Sequence, residues 1–493
     1  MNRPISWLRS LWAPSPPQYS ALPQSTTPVV TDQLRYRCWS PRVLLRRLPL
    51  LIRIALGILL VDILGTAIFF PSYTHLPPCY ESLKAAASSS NAPGRANPRN
   101  ETVYIAAILY DRTGDLAGGQ WGAALTTLIH LLGEDNVFLS LYENNSGSKG
   151  EAALQSLSHR IPCNKSIVID QHTPFTTFPH TTLPNGESRI KRIDYLAALR
   201  NRALDPLTNH TTHFDKLLYL NDVLFDPLEA AQLLFCTNNN TNTNTNTHTH
   251  TPSSTSYRAA CAVDFSNPFK FYDTYATRDL QGYGTGLPFF PWFTTAGRGE
   301  SRRDVLAGRD AVRVRSCWGG MVAFDATYFQ KQDPVRFRAD AEVFWDASEC
   351  CLIHADIQDG HKAGGAEGAD TGVYMNPFVR VAYSARSLRW LKTTRRFERL
   401  YPLAHDVLNR IVGLPWYNPR RGEVAGEKVE REVWVADGSV GGGAFRTVEV
   451  VAGKDGFCGR RGMEVVVEDR KPGQDGFEPV PVPVPVPVSS SLP

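Results

Sequence analysis

The stretch Lys216-Leu-Leu-Tyr-Leu-Asn-Asp-Val-Leu-Phe-Asp226 decides how this chain is read. The apolar run at 217–220 has the length and composition of a buried strand, and it delivers Asn221 and Asp222 at its C-terminal end. Two readings compete there. Asn and Asp favour turns whatever the function. A carboxylate at the mouth of a parallel sheet is also where α/β proteins hold ligands, metal-bound phosphates among them.

The sequence upstream extends the pattern. Val103-Tyr-Ile-Ala-Ala-Ile-Leu-Tyr110, Val137-Phe-Leu-Ser-Leu-Tyr142 and Ser166-Ile-Val-Ile-Asp170 read as three further strands. Residues 121–132 carry helical periodicity, and 190–204 form an Arg-rich amphipathic helix. Strands alternating with helices predict an α/β fold with a doubly wound, mostly parallel sheet. Asp111 and Asp115 follow strand one; Glu143, Asn144 and Asn145 follow strand two; Asp170 follows strand three; Asn221, Asp222 and Asp226 follow strand four. Four successive polar, carboxylate-bearing ends predict a site at the C-terminal edge of the sheet.

The formal charge of +4 is small for 493 residues, and its excess is local. Arg35, Arg37, Arg42, Arg46 and Arg47 precede an apolar run at 48–70, which contains Arg53 near its start and has the roughly 20-residue length of a bilayer-spanning helix. Arg53 can snorkel to the interface, while Asp62 inside the run costs about 2.5–3.5 kcal/mol on insertion. A signal peptide is the competing reading, but the n-region is too long and no small-residue cleavage site stands out. Basic residues before the span predict a cytosolic N-terminus and a lumenal body, with no nucleic-acid partner. Sequons at Asn100, Asn144, Asn164, Asn209 and Asn239, and eight of the nine cysteines after the span, suit such a compartment. The spacing leaves the disulfide pairing open, and no C-x-x-C pair suggests a zinc ribbon.

This gives a cytosolic disordered tail at 1–47, a transmembrane anchor at 48–70, a stem at 71–100 and a folded body at 101–403. A low-complexity insertion at 237–255 interrupts the body. The Gly-, Pro- and Arg-rich stretch 281–311 reads as a mobile loop. Residues 404–493 read as a poorly defined extension ending in a Val-Pro tail of polyproline II character, with no core to join.

Chemistry-bearing groups recur farther on. Asp222 supplies a hard oxygen for Mg²⁺ or Mn²⁺, which would neutralise a diphosphate leaving group. Arg200 and Asn201 are placed to contact diphosphate or base, while Arg189, Lys191, Arg192 and Arg202 read as a solvated face. In Arg315-Ser-Cys-Trp-Gly-Gly-Met321, the pair Gly319–Gly320 permits close backbone approach and Trp318 offers a platform for a sugar ring; a tight turn with a core Trp is the alternative. In Ala347-Ser-Glu-Cys-Cys-Leu-Ile-His-Ala-Asp356, Glu349 could face a substrate, and His354 is either structural or a metal ligand.

The ordered runs VYIAAILYDRTGDL, DNVFLSLYENNSGS, RIDYLAALRNRAL, KLLYLNDVLF, FYDTYATRDL, VRSCWGGMVAFDA, ASECCLIHAD and NPFVRVAYS resemble the fungal capsule-associated α-1,3-mannosyltransferase family over about residues 101–400. The resemblance implies a GT-A-like fold, a type II Golgi (or ER) membrane enzyme, GDP-mannose as donor, a glycan acceptor and a divalent cation, Mn²⁺ or Mg²⁺. It places Asp222 where such enzymes hold their metal carboxylate, although Leu220 replaces the first acid of a D-x-D pattern. A second ligand is then expected from His354 and Asp356. Asp111, Asp115, Glu143, Asn144, Arg200 and Asn201 would border the nucleotide sugar; Trp318, Gly319, Gly320 and Glu349 would border acceptor and donor sugar. An α-1,3 product from an α-linked donor implies retention. Either leaving-group phosphate takes the acceptor proton, or Glu349 or Asp264 acts as a nucleophile. The competing functions are a non-catalytic membrane-anchored factor for polysaccharide assembly or export, and a transferase using another donor such as UDP-xylose.

Overall fold

In the computed structural model the described residues are 49–170, 175–209, 212–239, 257–358, 370–436, 443–468 and 475–483. The expected tail at 1–47, the low-complexity insertion from residue 240 and the Val-Pro repeat beyond residue 483 lie outside them.

Strands covered on both faces read as continuous apolar runs. β1 (Val103–Leu109), β2 (Val137–Asn144) and β4 (Lys216–Leu220) are buried almost throughout, whereas β3 (Asn164–Asp170) is the half-exposed edge. β5 (Ala259–Asn267), β6 (Val312–Ser316), β7 (Met321–Asp325) and β8 (Val373–Ala382) continue the same sheet. Its order is β3-β2-β1-β4-β7-β5-β8-β6, closed by the short strand Arg278–Asp279. Pairing is parallel along β3-β2-β1-β4 and again for β5 with β8; β7 and β6 run antiparallel to their neighbours. The expected doubly wound α/β sheet is present.

The chain winds outward from β1 through β2 to β3 and then returns to β4 on the other side of β1. That reversal makes the β1–β4 crevice the topological switch point of the sheet. Register sets what stands there: Ala107 pairs with Leu220, and Leu220 with Met321. Residues 110–111 and 221–222 therefore project past the same edge, beside the turn that precedes β7.

Helices cover the sheet. α1 (Leu50–Phe69) contains an apolar span, α2 (Pro78–Ser89) follows it, and α3 (Gln120–Leu132), α4 (Ser148–Arg160), α5 (Arg192–Asn209) and α6 (Pro227–Cys236) connect the first five strands. α7 (Glu300–Leu306), α8 (Glu349–Ile357), α9 (Ala385–Thr394) and α10 (Pro402–Val412) belong to the second half. Among the described residues α1 alone is long and apolar enough to cross a membrane, and little of it is buried.

Three expectations need correction. The stem at 71–100 is packed on the body: Tyr80 is fully buried, its hydroxyl accepts from Asn376 Nδ2 at 2.7 Å, and Cys79 is disulfide-bonded to Cys236. The 281–311 stretch is ordered around Trp292 and Phe293, both fully buried, because its glycine turns fold apolar residues inward. The extension also folds. Cys351–Cys458 ties it to α8, β9 (Lys428–Ala436) and β10 (Gly443–Val451) form a hairpin, and Phe477–Pro479 pairs with Glu464–Val466. Val480 and Val482, at the start of the Val-Pro repeat, pack against a small cluster around Phe344 and Met463.

Candidate active site

Asp222 stands just past the end of β4, open to solvent yet set among protein on every other side. Desolvation there raises its carboxyl pKa, opposed by its own backbone N–H and by the Arg200 charge. The preceding residue is fixed from three directions. The Asn221 N–H donates to the Gly320 carbonyl at 2.9 Å, its carbonyl accepts from Trp121 Nε1 at 3.0 Å, and its Oδ1 accepts from Arg200 Nη1 at 3.1 Å.

Arg200, on α5, is the hub of the contacts beside Asp222. Its Nε donates to Glu349 Oε1 at 2.9 Å, and its guanidinium lies 4.4 Å from the Trp318 ring and 5.4 Å from Tyr219. Both members of the ion pair are almost completely buried. Desolvation works against the Arg200 charge, but Cys350 and Glu349 more than offset it and hold the guanidinium protonated. The Ser348 hydroxyl caps α8 and so sets Glu349 in its first turn. Trp318 is 4% exposed and packs on Arg200, Tyr219, Phe324 and Phe337, so it is core packing around Arg200 rather than a free ring face.

The two glycines serve the turn. Gly319 and Gly320 have φ of 55° and 66°, where a side chain is strained. A Cβ on Gly319 would lie 1.9 Å from the Ala262 carbonyl, and one on Gly320 2.7 Å from Val223 Cγ1. Their smallness admits the Ala262 backbone and the Val223 side chain.

On the β5 side, Asp264 accepts from the Asp273 N–H at 3.0 Å and from the Tyr383 hydroxyl at 3.1 Å. It is buried, and burial together with the Asp273 carboxylate pushes its pKa well above the usual carboxylate range. Asp273 in turn receives the Thr277 hydroxyl at 2.7 Å and the Trp318 N–H at 2.9 Å. Tyr272 and Tyr383 stack 4.6 Å apart, and both feel the Asp222 charge. Sequence reasoning missed these two tyrosines and Asp273. The blocks FYDTYATRDL and NPFVRVAYS contain them, but only the fold brings residues 111 apart in sequence together.

The β1–β3 ends are less uniform. Asp111 is buried, and its carboxylate receives the backbone N–H groups of Gly114, Leu116 and Ala117 at 2.9–3.0 Å. It ties down its own loop. Asp115 is exposed on that loop. Glu143 accepts from the Ser146 N–H, while its buried Oε2 has no partner. Asn144 Nδ2 donates to the Tyr195 hydroxyl at 2.6 Å, and Tyr195 lies near Tyr110 and Asp170. Aromatic and amide side chains thus stand together near the ends of β1–β3, large rings being suited to a nucleobase face. Asn201 is not among them: its amide bonds both the carbonyl and the N–H of Phe337 at 2.8 and 3.0 Å. Asp226 is the N-cap of α6, accepting from Leu228 at 2.9 Å.

Two expected metal ligands do not join Asp222. His354 is fully buried, bonded through Nδ1 to the Cys350 carbonyl at 2.7 Å, and burial lowers its pKa to about 4. Its Nε2 lies 3.8 Å from Cys261 Sγ, whose sulfur is committed to Cys317. Asp356 is held by Arg338 at 2.8 and 3.0 Å. A helical rise of roughly 1.5 Å per residue puts it about 10 Å along α8 from Glu349. The expected solvated basic face is likewise engaged in part: Arg189 pairs with Glu478, Arg192 with Glu464, and Lys191 Nζ donates to the Asp340 and Glu342 carbonyls. Among the described residues no group of three or more His, Cys, Asp or Glu side chains within metal-binding distance includes Asp222. One carboxylate plus substrate phosphates and water is still an ordinary coordination for Mg²⁺ or Mn²⁺, so the donor set fits.

The family model for cryptococcal mannosyltransferase 1 matches residues 102–356, just over half of the chain. No curated protein matches. Similar solved structures include mannosyltransferase PcManGT from Pyrobaculum calidifontis in complex with GDP-Man and Mn²⁺, at 12% identity, 76% coverage of this chain, 78% of that chain and a TM-score of 0.31. Mannosyl-3-phosphoglycerate synthase from Rubrobacter xylanophilus gives 15%, 77%, 91% and 0.28. Glucosyl-3-phosphoglycerate synthase from Mycobacterium tuberculosis, with Mn²⁺, UDP-glucose and glycerol 3-phosphate, gives 10%, 72%, 90% and 0.29. The matched span starts one residue before β1 and ends within α8, so it contains the β1–β4 switch point, Asp222, Arg200 and Glu349. The chain belongs to the cryptococcal mannosyltransferase family and is a glycosyltransferase.

Proposed function

We propose that the chain transfers mannose from GDP-mannose to a glycan acceptor, forming an α-1,3 linkage with retention, as a type II membrane enzyme of the Golgi or ER. One observation carries the reading: an accessible carboxylate, Asp222, stands at the switch point of the sheet above a buried Arg200–Glu349 pair, inside the span that defines the family. Asp222 would hold Mn²⁺ or Mg²⁺, which when bound neutralises the charge developing on the departing diphosphate. The Tyr110, Asn144 and Tyr195 side chains would take the base. Arg200 positions the Asp222 loop through Asn221 and raises the positive potential under the diphosphate.

The carboxylates bear on the retaining route. A nucleophile needs a free oxygen facing the anomeric carbon. Glu349 is ion-paired at 2.9 Å, and Asp264 is covered by Tyr383. The route in which leaving-group phosphate takes the acceptor proton fits these residues better. The polar tyrosine pair Tyr272–Tyr383 is then the surface that orients the donor sugar.

The test is donor hydrolysis by the full-length chain across GDP-mannose, UDP-xylose and UDP-glucose, with and without Mn²⁺. GDP release from GDP-mannose that depends on Mn²⁺ is expected. Preference for a UDP sugar would replace the donor assignment, and no hydrolysis or binding of any donor would favour the non-catalytic assembly role.

A further inference from the structure

We infer that α10 and the segment after it form a second membrane contact, lying in the lipid interface beside the lumenal end of α1. The contact rests on an inverted helix. A surface helix ordinarily turns its apolar stripe inward and its polar face to water. α10 does the reverse. His405 and Asn409 are buried: Arg302 bonds His405 Nδ1 at 3.1 Å, and Asn409 Oδ1 accepts from the Leu287 N–H at 2.8 Å. Asp406 pairs with the same arginine at 3.0 Å. Outward stand Leu403, Val407 and Ile411, at i, i+4 and i+8, with exposures of 77%, 50% and 72%. Trp416 and Tyr417 follow at 70% and 87%.

The position of this face says what covers it. Arg396 Nη1 donates to the Ala67 carbonyl at 3.5 Å, and the Ser72 N–H donates to the Arg395 carbonyl at 3.3 Å. The turn leading into α10 is therefore the docking site of α1's C-terminal end. Eleven residues of helix reach roughly 16 Å from it. If α1 spans a bilayer, its lumenal end fixes the interface at that level, and α10 has no water-filled distance to cross. The charges agree. Over residues 385–417 the exposed charged side chains are all basic, Arg386, Arg389, Lys392, Arg396, Arg399 and Arg410, while Asp406 is half-buried against Arg302 and Glu398 is buried against Arg380. An apolar stripe flanked by cations, with Trp and Tyr at its end, is the pattern of an interfacial helix on phosphate headgroups.

This inference rests on α1 spanning a bilayer, which is part of the function proposed above, so the experiment reads the two separately. The full-length chain carrying Cys38→Ser is reconstituted in phosphatidylcholine–phosphatidylinositol vesicles. Cys163 and Cys350 are buried and the other six cysteines are disulfide-bonded, so Ile411→Cys is the accessible thiol for an environment-sensitive fluorophore. Ser156→Cys on α4 is the control. Several-fold stronger quenching by doxyl-labelled lipid at 411 than at 156 is expected, with retention of the protein after carbonate washing. Release by carbonate refutes the anchor. Retention with equal quenching at both sites refutes the docking, as does a blue shift at 411 that follows protein concentration and not lipid, which would assign the face to a second copy of the chain. A Leu403→Asp/Val407→Asp double variant with the label at 411 should lose the quenching while keeping the same circular dichroism; undiminished quenching also overturns the inference.

Discussion

Asp111 and Asp222 end neighbouring parallel strands at one sheet edge, yet their carboxylates are in opposite situations. Three backbone N–H groups saturate Asp111 and fold its loop around it. Asp222 is exposed to solvent, and only its own backbone and the field of Arg200 offset its desolvation. An acid at a strand end marks a site only when the loop that follows leaves its oxygens unused. Asp222 qualifies because its loop is pinned by other means: Trp121, Gly320 and Arg200 all hold Asn221.

The comparison breaks first at Arg200. Arg200→Met leaves Glu349 buried without a counter-charge, which should cost about 3–5 kcal/mol of stability by chemical denaturation. Donor turnover should fall with it. A loss below about 1 kcal/mol would mean that the pair is not the buried foundation described. Asp111→Ala is the next step down. It strands backbone donors and should destabilise by about 1–3 kcal/mol, while the surviving folded protein keeps its donor affinity. A loss of affinity in a protein of unchanged stability would make Asp111 a ligand contact after all.

Asp264 supplies a pH signature. Its folded pKa is raised above the unfolded value by burial and Asp273. Its contribution to stability is therefore complete below the unfolded pKa near 4 and is lost as pH rises through the higher folded value. Denaturation midpoints measured between pH 5 and 9 should fall less steeply in Asp264→Asn than in the parent chain, and parallel curves would contradict the assignment. The smallest effect belongs to Asp356→Asn. Its carboxylate is occupied by Arg338, so the Mn²⁺ dependence of donor hydrolysis should not move. A weakened Mn²⁺ requirement would restore Asp356 as a metal ligand.

Legibility in the sequence followed the range of the interactions. β1, β2 and β4 declare themselves because residues buried on both faces must be apolar in succession, and α3 by its periodicity. Asp222 was readable as a strand-end acid. What its neighbours do was not: Arg200 meets Glu349 across 149 residues, and Tyr383 meets Asp264 across 119. His354 and Asp356 share a motif with Glu349, but one helix carries the three to different surroundings, so proximity in sequence misled. The extension past residue 403 escaped because its core is small and borrowed, held by Cys351–Cys458 and by Arg420 stacked 3.7 Å over Trp345. The pair Gly319–Gly320 reads in the sequence as a place of close approach, and in the fold it is the Ala262 backbone and the Val223 side chain that approach.

The central claim is that Asp222 serves the reaction and not the fold. GDP release from GDP-mannose in saturating Mn²⁺ should be measured for the parent chain and for Asp222→Asn, alongside their thermal midpoints. The account predicts a fall in turnover of about 100- to 1000-fold with a midpoint unchanged or slightly raised, since the substitution removes a desolvated charge. Turnover within a few-fold of the parent, or a fall that simply tracks unfolding, would contradict it.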